Sequence, residues 1–251
     1  MKRTIVCALF VLIGAVALAQ DLQDLNIITT ENAPFNFTES GQVRGIAADL
    51  LIEGAERAGL PIRRADIQVL RWTRAYATAL REPNSVLFAT ARTSARESLF
   101  AWVGPIYGFE ICIVAKRSSQ IVVTTIDDLA GYTIGTVRDA APEQLLIERG
   151  VALSSLDRGT SPESNLLKLI ADRIDAVAWN FPSVAYNLRR LGEDPTDYEV
   201  VYVLQPVELY YALHRDTGAE RIQTLQAGLD ELRRDGTYDR IVAEYFGPGS
   251  D

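Results

Sequence analysis

Histidine occurs once in this 251-residue chain and cysteine twice. No cluster of the two exists to hold zinc. The lone His214 stands beside Arg215 at the end of an apolar run and reads as a surface or edge residue. Signatures of catalysis are missing too. Gly131-Tyr132-Thr133-Ile134-Gly135 lacks the glycine spacing and the lysine of a phosphate-cradling loop. Ser-x-x-Lys and Gly-x-Ser-x-Gly nucleophile motifs are absent. Carboxylate catalysis needs no spaced motif and stays open. No cofactor is called for. Basic residues are the minority, 25 against 33 acidic ones, for a net charge of −8. Nucleic acid and anionic lipid both need a basic footprint, so neither is an expected partner. In so acidic a chain an anion site must be local, with arginines gathered where the ligand sits.

Long apolar runs are scarce as well. The exception follows Lys2 and Arg3, spans residues 5–19, and ends in Ala17-Leu18-Ala19 before Gln20. A charged start, a short apolar stretch and a small-x-small site make a secretory signal, 1–19, cleaved near Ala19. The run is too short and wrongly flanked for a membrane anchor. Export to the periplasm is expected. Cys7 leaves with the signal, so Cys112 has no partner for an intramolecular disulfide, and the core must hold the fold without staples.

What is present alternates. "LNIITT", "IQVL", "SVLFAT", "FEICIVAKR", "YTIGTV", "VALSSL", "IDAVAW", "YEVVYVL" and "ELYYALHR" read as strands. Between them, "GIAADLLIEGAERAGL" places Ile46, Leu50, Leu51 and Ala55 near helical spacing, and "TRAYATALRE" is a helix closed by Pro83. Further helices open at Pro142, Pro162 and Phe181, "AERIQTLQAGLDELRRDG" is long and amphipathic, and "TYDRIVAEYF" is last. "ENAPFNF" and "ESGQ" read as loop and turn. This is an α/β pattern with largely parallel sheets. No low-complexity linker and no repeat appear, so a second lobe would be inserted into the first.

One stretch, "ATARTSARESLFAWVGP" (89–105), carries chemistry. Ser94 and Glu97 form a Ser-x-x-Glu capping box that starts a short helix near Ala95. Arg96 then sits at a helix start, where backbone N–H groups favour anions. Ala89-Thr90-Ala91 leaves a strand end beside it, and ligands of open α/β sheets bind at such ends. A carboxylate could take a bidentate pair from Arg96 and bonds from the nearby main chain. Equally, Arg92 and Arg96 could be an i, i+4 surface pair balanced by Glu97 or Glu82.

Several segments together resemble the bacterial extracellular solute-binding proteins of family 3, the amino-acid-type receptors of ABC importers. "APFNF…GQVRGIAADLL" is similar to the family's start of the first helix, and "TSARESLFAWVGPIY" to its Thr-x-x-Arg and aromatic run. "TIDDLAGYTIGTV" resembles its Asp-Leu-x-Gly, "ADRIDAVAWN" its Arg-x-Asp-Ala strand, and "LRRDGTYDRIVAEYFG" its closing Gly-Thr-Tyr helix. The resemblance implies a two-lobed periplasmic binding protein type II fold. Each lobe is a mainly parallel sheet flanked by helices, and two crossing strands join them. Lobe one would be 20–107 plus 211–251, lobe two 113–204, and the crossings 107–112 and 205–210. A monomer is expected, with a small carboxylate ligand in the cleft and an ABC permease of the inner membrane as partner.

Carried over by motif, Arg96 holds the ligand carboxylate. Ala89, Thr90 and Ala91 supply nearby contacts, through the main chain where alanine stands. Trp72 or Phe35 covers the ligand, and the Ala140-Ala141-Pro142 helix start closes on it from lobe two. Arg74 points either at the cleft or at solvent. At Asn180 the family commonly has an aspartate for the ligand ammonium. Either Glu31 supplies the missing charge or the ligand is not an ordinary α-amino acid; Asn180 also reads as the N-cap of the helix at Phe181. Two rivals share the scaffold. One is an enzyme resembling cyclohexadienyl dehydratases, which needs a cleft acid such as Glu31, Glu110 or Glu208. The other is a sensor module.

Overall fold

The computed structural model describes residues 25–246. The expected signal segment and its cleavage site lie outside the described residues. From its start the chain forms β1 (Asn26–Thr29), a hairpin of β2 (Phe37–Glu39) and β3 (Gln42–Arg44), then α1 (Ile46–Arg57). β4 (Gln68–Val69), α2 (Trp72–Arg81) and β5 (Ser85–Ala91) follow. A 3-10 turn at Ser94–Leu99 leads into β6 (Phe100–Lys116). Then come β7 (Ile134–Val137), α3 (Ala141–Glu148), β8 (Leu156–Gly159), α4 (Pro162–Ile170), β9 (Ala176–Asn180) and α5 (Phe181–Arg190). β10 (Tyr198–His214), α6 (Ala219–Arg234) and α7 (Thr237–Phe246) complete the described chain.

Eight strands form one sheet in the order β4-β1-β5-β10-β6-β9-β7-β8. Its two ends are separate parallel units: β4, β1 and β5 at one, β9, β7 and β8 at the other. What joins them is a pair of 17-residue antiparallel strands, β6 and β10, paired from Phe100↔His214 to Lys116↔Tyr198. β5 docks on the last residues of β10, and β9 on the last residues of β6. Two α/β lobes therefore share one continuous ribbon. All seven residues of β5 are buried, as a mostly apolar strand with both faces covered requires.

Helices α1, α6 and α7 cover the first lobe. α1 and α6 cross at two glycines, where a Cβ on Gly228 would lie 2.1 Å from the Gly54 carbonyl oxygen. The second lobe has its own core, which includes Val114, Leu169, Val177 and Leu188. Cys112 lies in it with its thiol donating to the Trp179 carbonyl at 3.2 Å, and burial pushes its pKa up to about 12. It is a packed, inert thiol.

"ENAPFNF" is loop up to the first residue of β2, and "ESGQ" holds the turn of the β2–β3 hairpin, where Ser40 and Gly41 both take positive φ (50° and 77°), as a tight two-residue turn demands. Two local readings change. "VALSSL" is mostly a 3-10 turn, Leu153–Ser155, ahead of β8. The Ser94–Glu97 capping box does not form. Thr93 precedes the turn without a side-chain cap, and the Glu97 carboxylate pairs with Arg92 instead. A charged partner outcompetes a backbone N–H for the same oxygens.

Candidate functional site

Between the lobes lies a cavity of about 380 Å³. Glu31, Trp72, Ala89, Ala91 and Arg96 line it from the first lobe. Ala140, Ala141 and Asn180 line it from the second. Two expected residues are not there. Phe35 is fully buried against Tyr107 and Phe109, with ring centroids at 5.3 and 5.6 Å. Thr90 is also fully buried, and its hydroxyl donates to the Leu87 carbonyl at 3.3 Å. Along β5 alternate residues face opposite ways, so Ala89 and Ala91 reach the cavity and Thr90 does not. Arg74 is exposed and does not line the cavity.

The two arginines of the 89–105 stretch separate. Arg92 makes a bidentate pair with Glu97 and lies over the rings of Tyr210 and Trp102, 4.9 and 5.6 Å from their centroids. Its role is structural. Arg96 is folded back beneath the end of β5 by the 3-10 turn and is 1 % exposed. Its Nη1 donates to the Ala91 carbonyl at 3.3 Å. Its Nη2 donates to Gln144 Oε1 at 3.0 Å and to the Asp139 carbonyl at 3.3 Å. Nε has no partner. The guanidinium carbon stands 5.1 Å from the Trp72 ring and 5.2 Å from the Tyr76 ring. No carboxylate among the described residues lies within 4.0 Å of it. Burial pulls its pKa down and Tyr76 opposes the shift, but a guanidinium keeps its proton. The site is a buried cation whose hydrogen-bond partners are all neutral, with Glu148 acting on it only through its more distant charge.

Asp139 is the hinge-point of this arrangement. It holds φ 59° before α3, so its carbonyl turns toward the first lobe and accepts Trp72 Nε1 at 2.9 Å as well as Arg96. Its own N–H donates to Glu143 Oε1 at 2.8 Å. Glu143, 1 % exposed, also accepts the Thr136 hydroxyl at 2.7 Å and two bonds from Arg158 at 2.8 and 3.0 Å. Burial pushes the Glu143 carboxyl up, but the Arg158 guanidinium, the Asp139 N–H and the Thr136 hydroxyl outweigh it and hold the pKa below its ordinary value.

Asn180 lines the cavity and caps α5 at once, its Oδ1 accepting the Ser183 N–H at 2.8 Å. Glu31 sits at the exposed edge with its two oxygens on the Thr38 N–H (3.0 Å) and hydroxyl (2.6 Å). Glu110 and Glu208 do not line the cavity.

The sequence pattern of the bacterial extracellular solute-binding proteins, family 3, matches residues 25–248. The chain belongs to this family. No curated protein matches its sequence. Among solved structures, an ABC uptake transporter substrate-binding protein from Streptococcus pneumoniae with bound histidine is 20% identical, with a TM-score of 0.79 over 90% of this chain and 94% of that one. A mutant of ArgBP from T. maritima is 19% identical, with a TM-score of 0.77 over 91% and 98%. A histidine kinase sensor domain with similarity to periplasmic binding proteins is 21% identical, with a TM-score of 0.78 over 89% and 96%. At such identities the likeness carries the fold, and the two-lobed periplasmic binding protein architecture is the one found here.

Sequence reasoning missed part of this family 3 cleft. Asn32 and Trp179 line it and meet across it, the indole N–H donating to Asn32 Oδ1 at 3.2 Å. Asn187 Nδ2 adds a second link, to the Ala33 carbonyl at 3.2 Å. Arg71 lines the cavity beside Trp72, and Ser161 lines it as the N-cap of α4. The polar-Pro step at Ser161-Pro162 was a legible helix start; nothing local in "AVAWN" marks Trp179 as facing the other lobe.

Proposed function

We propose that this chain is a periplasmic receptor that captures a small carboxylate-bearing solute, an amino acid or a related acid, between its lobes and delivers it to an ABC permease. One observation carries the reading. Arg96 is a fully buried guanidinium with an unpartnered Nε, facing a cavity and lacking a carboxylate partner. An uncompensated buried charge is costly, and an anionic ligand supplies the compensation. Ala89, Ala91, Trp72, Ala140, Ala141 and Asn180 surround the bound solute in this proposal, and Glu31 guards its edge.

The lobes are proposed as 20–107 plus 211–251 and 113–204, hinged at 107–112 and 205–210. The pairing of β6 with β10 through those segments, with no other strand among the described residues spanning both ends, supports the division. The ligand favours closure only through contacts it makes better in the closed form. The α3 start and Asn180 provide them.

A thermal-shift screen of amino acids and small carboxylates identifies a ligand by mass action. Titration calorimetry on Arg96→Ala then tests the reading. Affinity should fall by about 2–5 kcal/mol, since the ligand carboxylate is left unpaired. Unchanged affinity overturns it. The likeness to a histidine kinase sensor domain favours a second role, ligand sensing, with the same capture step. Uptake of the labelled ligand by cells with and without the gene separates import from sensing.

A further inference from the structure

Given capture through Arg96, on which this inference rests, we infer that the solute is a carboxylic acid with an apolar body and no ammonium group. The cavity offers charge for an anion and none for a buried cation. Two arginines line it, Arg96 inside and Arg71 at an exposed position, and neither has a carboxylate within 4.0 Å among the described residues. Among the described residues only one acid lines it, Glu31, whose oxygens are engaged by Thr38 at the exposed edge. The side-chain oxygens of three neutral lining residues are committed as well, which leaves the uncharged Thr30 and Thr160 hydroxyls as neutral acceptors. Asn180 Oδ1 caps α5, Asn32 Oδ1 accepts Trp179, and Ser161 Oγ accepts the Ser164 N–H.

Helix direction adds to the bias. The starts of α3, α4 and α5, at Ala141, Pro162 and Phe181, all adjoin the cavity through lining residues. Their partial positive charge favours an anion and opposes an ammonium. An ammonium buried here would meet the Arg96 guanidinium and three helix starts with no buried carboxylate of the protein beside it, an unfavourable placement for a cation. The rest of the wall is mostly apolar, with Leu70, Trp72, Phe109, Ile111, Trp179 and Leu209 its larger side chains. About 380 Å³ holds roughly a dozen water-sized groups at ~30 Å³ each, the size of an arylalkanoate.

The test compares acids with and without the amine on one skeleton. Titration calorimetry of the exported protein, stripped of bound solute, is run with 3-phenylpropanoate against L-phenylalanine and with 4-methylpentanoate against L-leucine. In at least one pair the deaminated acid should bind tenfold or more tighter. In Asn180→Asp, which keeps the cap of α5, the amino acid should gain at least tenfold relative to its twin. Tighter binding of the amino acid in the wild type, no gain in Asn180→Asp, or no binding of either deaminated acid at millimolar concentration overturns the inference. If the amino acid binds and Arg96→Ala abolishes it, carboxylate capture stands while the inference fails. If 3-phenylpropanamide binds and neither acid does, both fail.

Discussion

Arg96 of the first lobe donates to Gln144 Oε1 of the second at 3.0 Å, a buried cation facing a neutral amide oxygen. The amide stands where a carboxylate would satisfy the guanidinium better. Gln144→Glu should therefore place an internal anion on Arg96 and compete with the ligand. Calorimetry is expected to show at least a tenfold loss of affinity for a carboxylate ligand, while the melting temperature of the ligand-free protein holds or rises. Affinity unchanged by this substitution would mean that the ligand does not use the Nη2 face of Arg96.

Trp72 holds two roles at one place, donating to the Asp139 carbonyl and covering the Arg96 guanidinium. Trp72→Phe keeps an aromatic face and loses the bond, for an expected cost of about 1 kcal/mol in ligand affinity. The same geometry predicts the optical signal. Of the three tryptophans, Trp72 and Trp179 line the cavity and Trp102 does not. Ligand-induced change in intrinsic fluorescence should shrink in Trp72→Phe and Trp179→Phe and persist in Trp102→Phe.

These particulars also show where sequence reading stops. Alternating apolar and amphipathic runs exposed the α/β pattern because burial imposes period on the chain, and β5 was legible from its apolar stretch Val86 to Ala89. The roles of Arg92 and Arg96 were not separable from their spacing. Both are arginines near one strand end; what parts them is the 3-10 turn, which returns Arg96 under β5 and leaves Arg92 beside Glu97. Phe35 and Trp72 looked alike as aromatic covers, yet only side-chain direction sends one into the core and the other to the cleft. Trp179 and Asn32 are 147 residues apart and meet only when the lobes do.

Glu143 links stability to the site, since the Asp139 N–H that it accepts fixes the carbonyl used by Trp72 and Arg96. Glu143→Gln leaves Arg158 short of its partner. With Arg158 partly exposed, the loss should be about 2–3 kcal/mol, below that of a fully buried pair. For a chain this long that corresponds to a fall in melting temperature of about 5–10 °C. The sign of the pH dependence follows from a carboxyl held below its ordinary 4.5 in the folded state. Its contribution is complete above that value and disappears as pH falls through the folded-state pKa. The gap between wild type and Glu143→Gln should thus be widest near neutrality and close in acid. A gap that widens in acid would show that Glu143 is carried protonated.

The α1–α6 crossing gives a stability test independent of ligand. Both contact residues are glycines within helices, where alanine ordinarily gains about 1 kcal/mol from helix propensity. Space makes them unequal. A Cβ on Gly54 would meet Gly228 backbone atoms at 3.4 Å, ordinary contact, whereas a Cβ on Gly228 would meet the Gly54 carbonyl oxygen at 2.1 Å. Gly54→Ala should be neutral or slightly stabilising. Gly228→Ala must push the helices apart, losing apolar contacts such as those of Leu225 and Leu229 with the core, and overpacking of this kind costs roughly 1–3 kcal/mol or more. Urea denaturation should leave the Gly54→Ala midpoint at or above that of wild type and place the Gly228→Ala midpoint below it. Equal effects would mean that α1 and α6 do not cross at this pair of residues in solution.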